Sequence, residues 1–464
     1  MKTLFYSSLF LAAIFTCSAS AQEDDAKVEN RILALAQAYV DAEVVNSVAI
    51  GVIDGDASFT IGAGQLSKDD PQAPNGDTVY EIGSISKVFT GILLADAIER
   101  GLVTADQAAG DLLPEGVTMP VSKKNPDRQI TLMQLSTHVS GLPRLPNNLE
   151  GVNSANPYVD YTAEKLFEFL DSHELSRKPG IAEEYSNLGT GLLGELLSQQ
   201  QKTGYEDLLK KRISGPLGMT STSLALNEDQ RKRMAPPHSA SGQPSSTWEF
   251  DALAGAGGIR STVNDMLKFA NATLNPPDSE TGKAIELAFA QQRKPKGLGS
   301  LPMGFGWMIN RSETRWHNGG TGGYHTMLFV SRKKKQAVVV LCNTATREVD
   351  KLASEIMALL GGQDVKPREF RKSIDMPTEI CQRYVGRYQL NGLVNIDVAF
   401  ANKNQTELTV QLTGQNAFPI FAETETLWYL KFVDAEIEFT VDDEGNCSAL
   451  TLNQNGTRQT ATKK

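Results

Sequence analysis

Helical and strand rhythms alternate along this chain. Residues Lys27–Ala42 place Val28, Ile32, Leu33, Leu35, Ala36, Tyr39 and Val40 at helical spacing. Val48–Ile53 and Ser58–Ile61 read as two strands joined across the turn Asp54-Gly55-Asp56. A long helix is predicted at about Ile85–Arg100, stopped by Gly101. The middle third is helical with many loops. Ala163–Leu170 and Leu188–Gln200 are amphipathic, and the spacings Thr131…Gln134 and Thr262…Asp265 suit capping boxes, the latter ahead of Met266–Ala270. Asn275–Asp278 and Lys294–Gly304 are Pro/Gly-rich loops. From Gly304 the pattern turns to strands. Gly306–Asn310, Thr314–His317, Tyr324–Val330 and Gln336–Cys342 follow one another through short turns, which predicts an antiparallel meander. Arg332–Lys335 falls in one of those turns as a solvated hairpin tip. A helix over Glu348–Leu360 closes this part at Gly361-Gly362.

Beyond it the chain is charged, Pro-containing and weakly patterned, which places a linker at 366–377. Residues 378–464 then carry six short alternating segments: Tyr384–Leu390, Val394–Ala399, Leu408–Leu412, Trp428–Phe432, Glu436–Val441 and Leu450–Asn453. Their spacing predicts a small antiparallel barrel or sandwich. The expected fold is α/β. A small C-terminal all-β domain follows, a lipocalin-like barrel or a sandwich.

The first residues bear on compartment. Lys2, the apolar run Leu4–Phe15 and the small residues Ala19-Ser20-Ala21 make 1–21 a secretory signal, too short in its apolar part to span a bilayer. The mature chain is therefore expected to begin at residue 22, cross the inner membrane and act in the periplasm without stable membrane insertion. The net charge is −10 with no basic block, which argues against a nucleic-acid partner. Besides Cys17, the chain has Cys342, expected in a buried strand, and Cys381 and Cys447, between which an oxidising compartment permits a disulfide without requiring it. These cysteines and the five scattered histidines lack zinc-type spacing, so no metal or other cofactor is expected.

The candidate chemistry begins at Ser84-Ile85-Ser86-Lys87, which opens the long helix. A spacing of three residues puts Ser84 and Lys87 on one face. A serine at a helix start lies near free backbone N–H groups, and a buried lysine has a lowered pKa and can take the serine proton. The same residues would also suit a plain N-cap and a solvated first-turn lysine. Tyr185-Ser186-Asn187 opens a later helix. A tyrosine near a lysine ammonium can act as general base and then general acid, and an asparagine offers a donor and an acceptor to a substrate amide. His317-Asn318-Gly319-Gly320 stands on a strand, where the glycines permit close backbone approach. The N–H groups of Gly320 and Ser84 together would form an oxyanion hole.

With these three elements the chain resembles the serine β-lactamases and penicillin-recognising D,D-peptidases, nearest the class C group, over about 22–365. Leu135-Ser136-Thr137-His138-Val139-Ser140-Gly141-Leu142-Pro143, Pro216-Leu217-Gly218-Met219 and Gly257-Gly258-Ile259-Arg260-Ser261-Thr262 support the resemblance. It implies a β-lactamase-like antiparallel sheet flanked by helices with an all-helical region alongside, an acyl-enzyme on Ser84, proton transfer shared by Lys87 and Tyr185 with either as the base, and Asn187, His317, Asn318, Gly319 and Gly320 contacting substrate. Two things depart from or extend the pattern: His317 stands where most β-lactamases carry lysine, and 378–464 looks like the β domain appended to many such hydrolases. If His317 serves as the anchoring cation, it should hold anionic substrates better at mildly acidic pH. The substrate classes left open are a β-lactam, a D-Ala-type peptide or an ester. A slowly deacylating penicillin-binding sensor is the non-enzymatic alternative, and the oligomeric state is not legible.

Overall fold

A computed structural model of the chain describes residues 27–149, 155–297, 299–401, 407–415, 417–431 and 434–464. The secretory signal and Cys17 lie outside the described residues. The chain divides into two compact units, the second made of Arg368–Lys464 together with the short segments Asp41–Val44 and Ala240–Gln243.

The first unit is built on an antiparallel sheet of six strands in the order β2-β1-β8-β7-β6-β5. Helix α1 (27–41) leads into β1 (Ser47–Asp54), which turns back at Gly55 into β2 (Ala57–Gly64). The predicted meander supplies the other four: β5 (Met308–Ile309), β6 (Arg315–Gly320), β7 (His325–Ser331) and β8 (Gln336–Cys342). Strands β7 and β8 are buried along their whole length, Cys342 included. Continuous apolar strands of this kind need cover on both faces. Helices α9 (Val263–Leu274) and α11 (Glu348–Leu360) both pack on β7 and β8. A separate pair, β3 (Val79–Glu81) and β4 (Arg260–Thr262), leads the chain into the site. The hairpin tip at Arg332–Lys335 is a turn, as its charge pattern predicted.

The helical region centres on α2 (Ser86–Glu99), buried from Ser86 through Ala97. A helix apolar on every side is stable only when wrapped. Around it lie α3 (Leu132–Ser136), α5 (Asn187–Gln200), α6 (Tyr205–Leu209), α8 (Ala254–Gly257) and α10 (Glu280–Phe289). Helices α4 (Ala163–Ser172) and α7 (Glu228–Lys232) complete this unit's described helices. The Thr131–Gln134 capping box forms in full. The Thr262–Asp265 box forms only by half: Thr262 accepts the Asp265 N–H, but the Asp265 carboxylate is taken by the Ser221 N–H and the Thr222 hydroxyl.

The second unit is a closed antiparallel barrel of eight strands, two more than the sequence pattern predicted. A short helix α12 (Thr378–Tyr384) precedes β9 (Gly386–Gln389), β10 (Asn395–Phe400), β11 (Leu408–Leu412), β12 (Phe418–Ala422), β13 (Leu427–Tyr429), β14 (Ala435–Val441), β15 (Cys447–Gln454) and β16 (Thr457–Lys463). Its interior is filled by side chains, among them Tyr384, Tyr388, Trp428 and Phe439. Cys381 and Cys447 are free thiols, so the permitted disulfide is not made. No described helix is long and apolar enough to cross a membrane.

Candidate active site

Ser84 is the middle residue of a single 3₁₀ turn, Gly83–Ile85, that precedes α2. The sequence placed it at the start of the α-helix itself. The difference matters, because neither the turn nor the helix is capped by a side chain. The Ser84 hydroxyl is thereby left to Lys87, whose Nζ lies 3.0 Å from Oγ. The solvated-lysine reading fails as well: Lys87 is 0% exposed and donates a second bond of 2.6 Å to the Ala256 carbonyl, at the end of α8. Burial, with the Arg144 charge added to it, holds the Lys87 pKa well below the usual ammonium value. Gly83 makes the turn possible. Its φ is +51°, and a Cβ there would meet the Gly320 amide nitrogen at 2.7 Å. The backbones carrying the two expected oxyanion donors are therefore in contact. A Cβ on Gly319 would collide with the Ile82 carbonyl, and that carbonyl also accepts the Thr326 hydroxyl at 2.9 Å.

Tyr185 sits just before α5. Lys87 Nζ lies 4.9 Å from the centre of its ring, and the Arg144 guanidinium lies 5.1 Å from it. Burial pushes its phenol up to about 12, against a lowering by the neighbouring Ser84 hydroxyl and the Arg144 charge. The phenol is therefore un-ionised at neutral pH, where the sequence reading allowed a phenolate. His138, in a left-handed conformation at φ 59°, holds the tyrosine from behind. Its ring packs 4.4 Å from the Tyr185 ring, its carbonyl accepts the Glu184 N–H at 2.8 Å, and its Nδ1 accepts the Ser186 N–H at 3.3 Å. Both chain neighbours of Tyr185 are thus tied to one residue. Ser186 caps α5 by accepting the Gly189 N–H, which fixes Asn187 on the first turn. The Asn187 amide donates to the Tyr158 hydroxyl at 3.4 Å.

His317 is fully buried on β6, 6.2 Å from the Tyr185 ring between centroids. Its Nδ1 lies 2.6 Å from the Asn318 carbonyl, which only accepts, so Nδ1 carries the proton. That leaves Nε2 as a buried acceptor without a partner. Burial first, and the Lys87 charge second, push the His317 pKa down to about 3. The anchoring imidazolium expected from sequence therefore does not form at mildly acidic pH. Consistently, KM against pH should run in parallel for an anionic and a neutral substrate. Strand alternation sends the next side chain to the other face. Asn318 donates to Asp350 on α11 at 2.8 Å, beside His325, whose Nε2 lies 2.9 Å from the same carboxylate. The structure thus gathers Ser84, Lys87, Tyr185, His317 and the Gly319–Gly320 backbone, with Asn187 beside them, while the Asn318 side chain serves to fasten β6.

Sequence reasoning did not single out His138, Arg144, Tyr158 or the Ala256 carbonyl. His138 stood in the Leu135–Pro143 run, and its placement there was the one usable signal. A backbone carbonyl gives none.

The buried histidine makes a stability prediction. In the unfolded chain a histidine titrates near about 6.5. Folded His317 titrates at about 3. Between those values the unfolded state binds the additional proton. This contribution is fully present above the unfolded pKa and is lost as pH falls towards the folded one, by up to about 1.4 kcal/mol per pH unit. His138, lowered by burial and by Lys87, adds in the same direction. Denaturant midpoints should fall between about pH 7 and about pH 5, and His317→Gln should flatten that slope. Superimposable slopes in the two proteins would contradict the assignment.

Comparison with known proteins places this geometry in context. The profile described as Beta-lactamase matches residues 32–361, and that of a domain of unknown function (DUF3471) matches residues 371–463. The D-alanyl-D-alanine-carboxypeptidase/endopeptidase AmpH of Escherichia coli K12 is 27% identical over 361 residues, covering 73% of this chain and 91% of that protein. Penicillin-binding protein 4* of Bacillus subtilis is 25% identical over 455 residues, covering 90% of this chain and 95% of its own. Among solved structures, a β-lactamase/D-alanine carboxypeptidase from Yersinia pestis complexed with citrate superposes with a TM-score of 0.63 at 24% identity, covering 72% of this chain and 99% of that one.

Proposed function

We propose, for a chain that belongs to the β-lactamase family and is a serine hydrolase of the β-lactamase and D-alanyl-D-alanine carboxypeptidase type, an exported enzyme that cleaves amides through a covalent acyl-enzyme on Ser84. The observation that carries this reading is the buried Lys87 amine 3.0 Å from the Ser84 hydroxyl, with the Tyr185 ring centre 4.9 Å from the same amine. A neutral Lys87 takes the Ser84 proton as Oγ attacks the substrate carbonyl. The N–H groups of Ser84 and Gly320 receive the oxyanion. Tyr185, un-ionised, gives its proton to the departing nitrogen and recovers one from the Lys87 ammonium. Water then releases the acyl group, with Lys87 again as base.

The substrate class proposed is a β-lactam or a D-Ala-type peptide, in line with the D-alanyl-D-alanine-carboxypeptidase/endopeptidase and the penicillin-binding protein to which the chain is similar. The proposal assigns the chemistry to 22–365, with 366–377 as tether and 378–464 as an appended barrel without chemistry of its own. Export rests on the leader read in 1–21, and places the enzyme in the periplasm. Ester hydrolysis is the second reading, and His317 favours it: a neutral acceptor stands where a carboxylate would need a donor.

The test is intact-mass analysis of the protein after mixing with benzylpenicillin, beside turnover of D-Ala-D-Ala peptides and a chromogenic ester. A penicilloyl adduct with turnover of peptide or β-lactam supports the first reading. Ester turnover without either supports the second. An adduct that persists for hours without turnover of any substrate would replace both with a sensor.

A further inference from the structure

A carboxyl that the acyl-enzyme chemistry does not use lies behind the expected oxyanion donors. Glu81 ends β3, shortly before Ser84, and its side chain is buried. Its Oε1 accepts the Trp248 N–H at 2.7 Å and lies 3.6 Å from Arg260 Nη2. Arg260 in turn donates to the Trp248 carbonyl at 2.7 Å and to the Glu249 carboxylate at 2.8 Å. Glu81 Oε2 is buried and has no hydrogen-bond partner among the described residues. The neighbouring Thr321 hydroxyl, on the residue after Gly320, is buried without a partner too. A Cβ on Gly322 would meet the Trp248 indole nitrogen at 2.6 Å, so the Trp248 ring presses on the same connection between β6 and β7. One carboxyl thus stands between the segment that leads to the Ser84 N–H and the segment that follows the Gly320 N–H.

We propose that Glu81 is a positioning residue for the oxyanion hole: as a carboxylate it draws the Thr321 hydroxyl and the Trp248 N–H onto β3 and so sets the Gly320 N–H beside that of Ser84, and protonation slackens this hold. The inference rests on the acyl-enzyme reading above and adds to it a group that touches no substrate. An ionised carboxyl accepts at both oxygens, whereas protonation turns one of them into a donor. Hydrogen bonds to an ionised acceptor are also about twice as strong as those to a neutral one. Burial raises the Glu81 pKa to about 7, against a lowering by Thr321, Arg260 and the Trp248 N–H, so both forms are populated near neutral pH. The charged and titratable groups facing it are Arg260 on β4, Glu249 beside Trp248 and Tyr324 ahead of β7. Arg260 favours the carboxylate and Glu249 opposes it, while burial keeps the Tyr324 phenol un-ionised.

The test uses the full chain and p-nitrophenyl acetate, with kcat/KM measured from about pH 5.5 to about pH 8.5 and the uncatalysed rate subtracted. Glu81→Gln keeps the shape of the side chain and cannot ionise. Lys87 titrates in both proteins, so the ratio of unaltered protein to Glu81→Gln divides its larger contribution out. That ratio should lie near unity at the acidic end, rise with a midpoint near about 7, and reach about three- to tenfold at the alkaline end. A merely structural role for Glu81 would give the same ratio at every pH, which overturns the proposal. Should Glu81→Gln fail to fold, Thr321→Val takes its place. It removes one donor to the carboxylate and moves the Glu81 midpoint upward, so the ratio of unaltered protein to Thr321→Val should peak just above pH ~7 and decline on both sides. A ratio without that peak overturns the proposal equally. Absence of Ser84-dependent turnover in the unaltered protein would overturn the acyl-enzyme reading itself, and this inference with it.

Discussion

Ser84→Ala is expected to abolish turnover and covalent labelling together, whereas Ser86→Ala is expected to keep labelling. The two serines are two residues apart and chemically identical, so the contrast isolates geometry. Ser84 Oγ lies 3.0 Å from a buried lysine amine and on a turn whose backbone touches that of Gly320. Ser86 is equally close in sequence, but its hydroxyl is spent on the Ile259 N–H at 3.1 Å. Loss of a nucleophile removes nearly all acceleration beyond what binding and oxyanion donors supply, so a fall of about a thousandfold or more is expected. Ser86→Ala leaves the Ile259 N–H without a partner and should cost about 1–3 kcal/mol of stability instead. The measurement is intact mass after reaction with benzylpenicillin or a fluorophosphonate, with a melting curve for each protein. An adduct on the Ser84→Ala chain would remove the assignment outright.

Strands β7 and β8 were legible because they are buried throughout: an uninterrupted apolar run such as Ala337–Cys342 can be little else when short turns flank it. The barrel was less so. Strand β16, Thr457–Lys463, closes the barrel while burying only Ala461, so its sequence looks like a polar tail. Strand β12 contains Pro419, which demotes a run to non-strand on sequence grounds. Helix α12 is seven residues long and merges by pattern with the strand after it. In the site, Ser84, Lys87 and Tyr185 were legible because their spacing and flanks carry the signal. The charge on His317 was not, because a motif names a residue type and not its burial. Tyr158 and the Ala256 carbonyl were invisible for another reason: they reach Asn187 and Lys87 through folding alone, the second across 169 positions.

The same electrostatics separate the two candidate bases. Tyr185 is pushed up to about 12 by burial, while Lys87 is driven below its ordinary range by burial and Arg144. At neutral pH the tyrosine holds its proton and the lysine is the group closer to losing one. Lys87→Met should therefore lower the acylation rate by about a thousandfold, the loss expected when a serine is left without its base. Tyr185→Phe should lower it by less, about ten- to a hundredfold, since a proton donor to the leaving nitrogen can be replaced in part by water. The pH profile carries the sign. If the neutral amine is the base, acylation rises with pH through the folded pKa of Lys87, below the ordinary ammonium value, and levels off above it. Tyr185→Phe should keep that rising limb, and Lys87→Met should lose it. A phenolate base predicts the opposite: a limb that continues to climb towards about 12, and a Tyr185→Phe protein as inactive as Lys87→Met. Single-turnover acylation by an ester, which has a good leaving group and needs no donated proton, sharpens the contrast. There Tyr185→Phe should approach the unaltered enzyme while Lys87→Met stays slow, and equal defects in both would return the base to Tyr185.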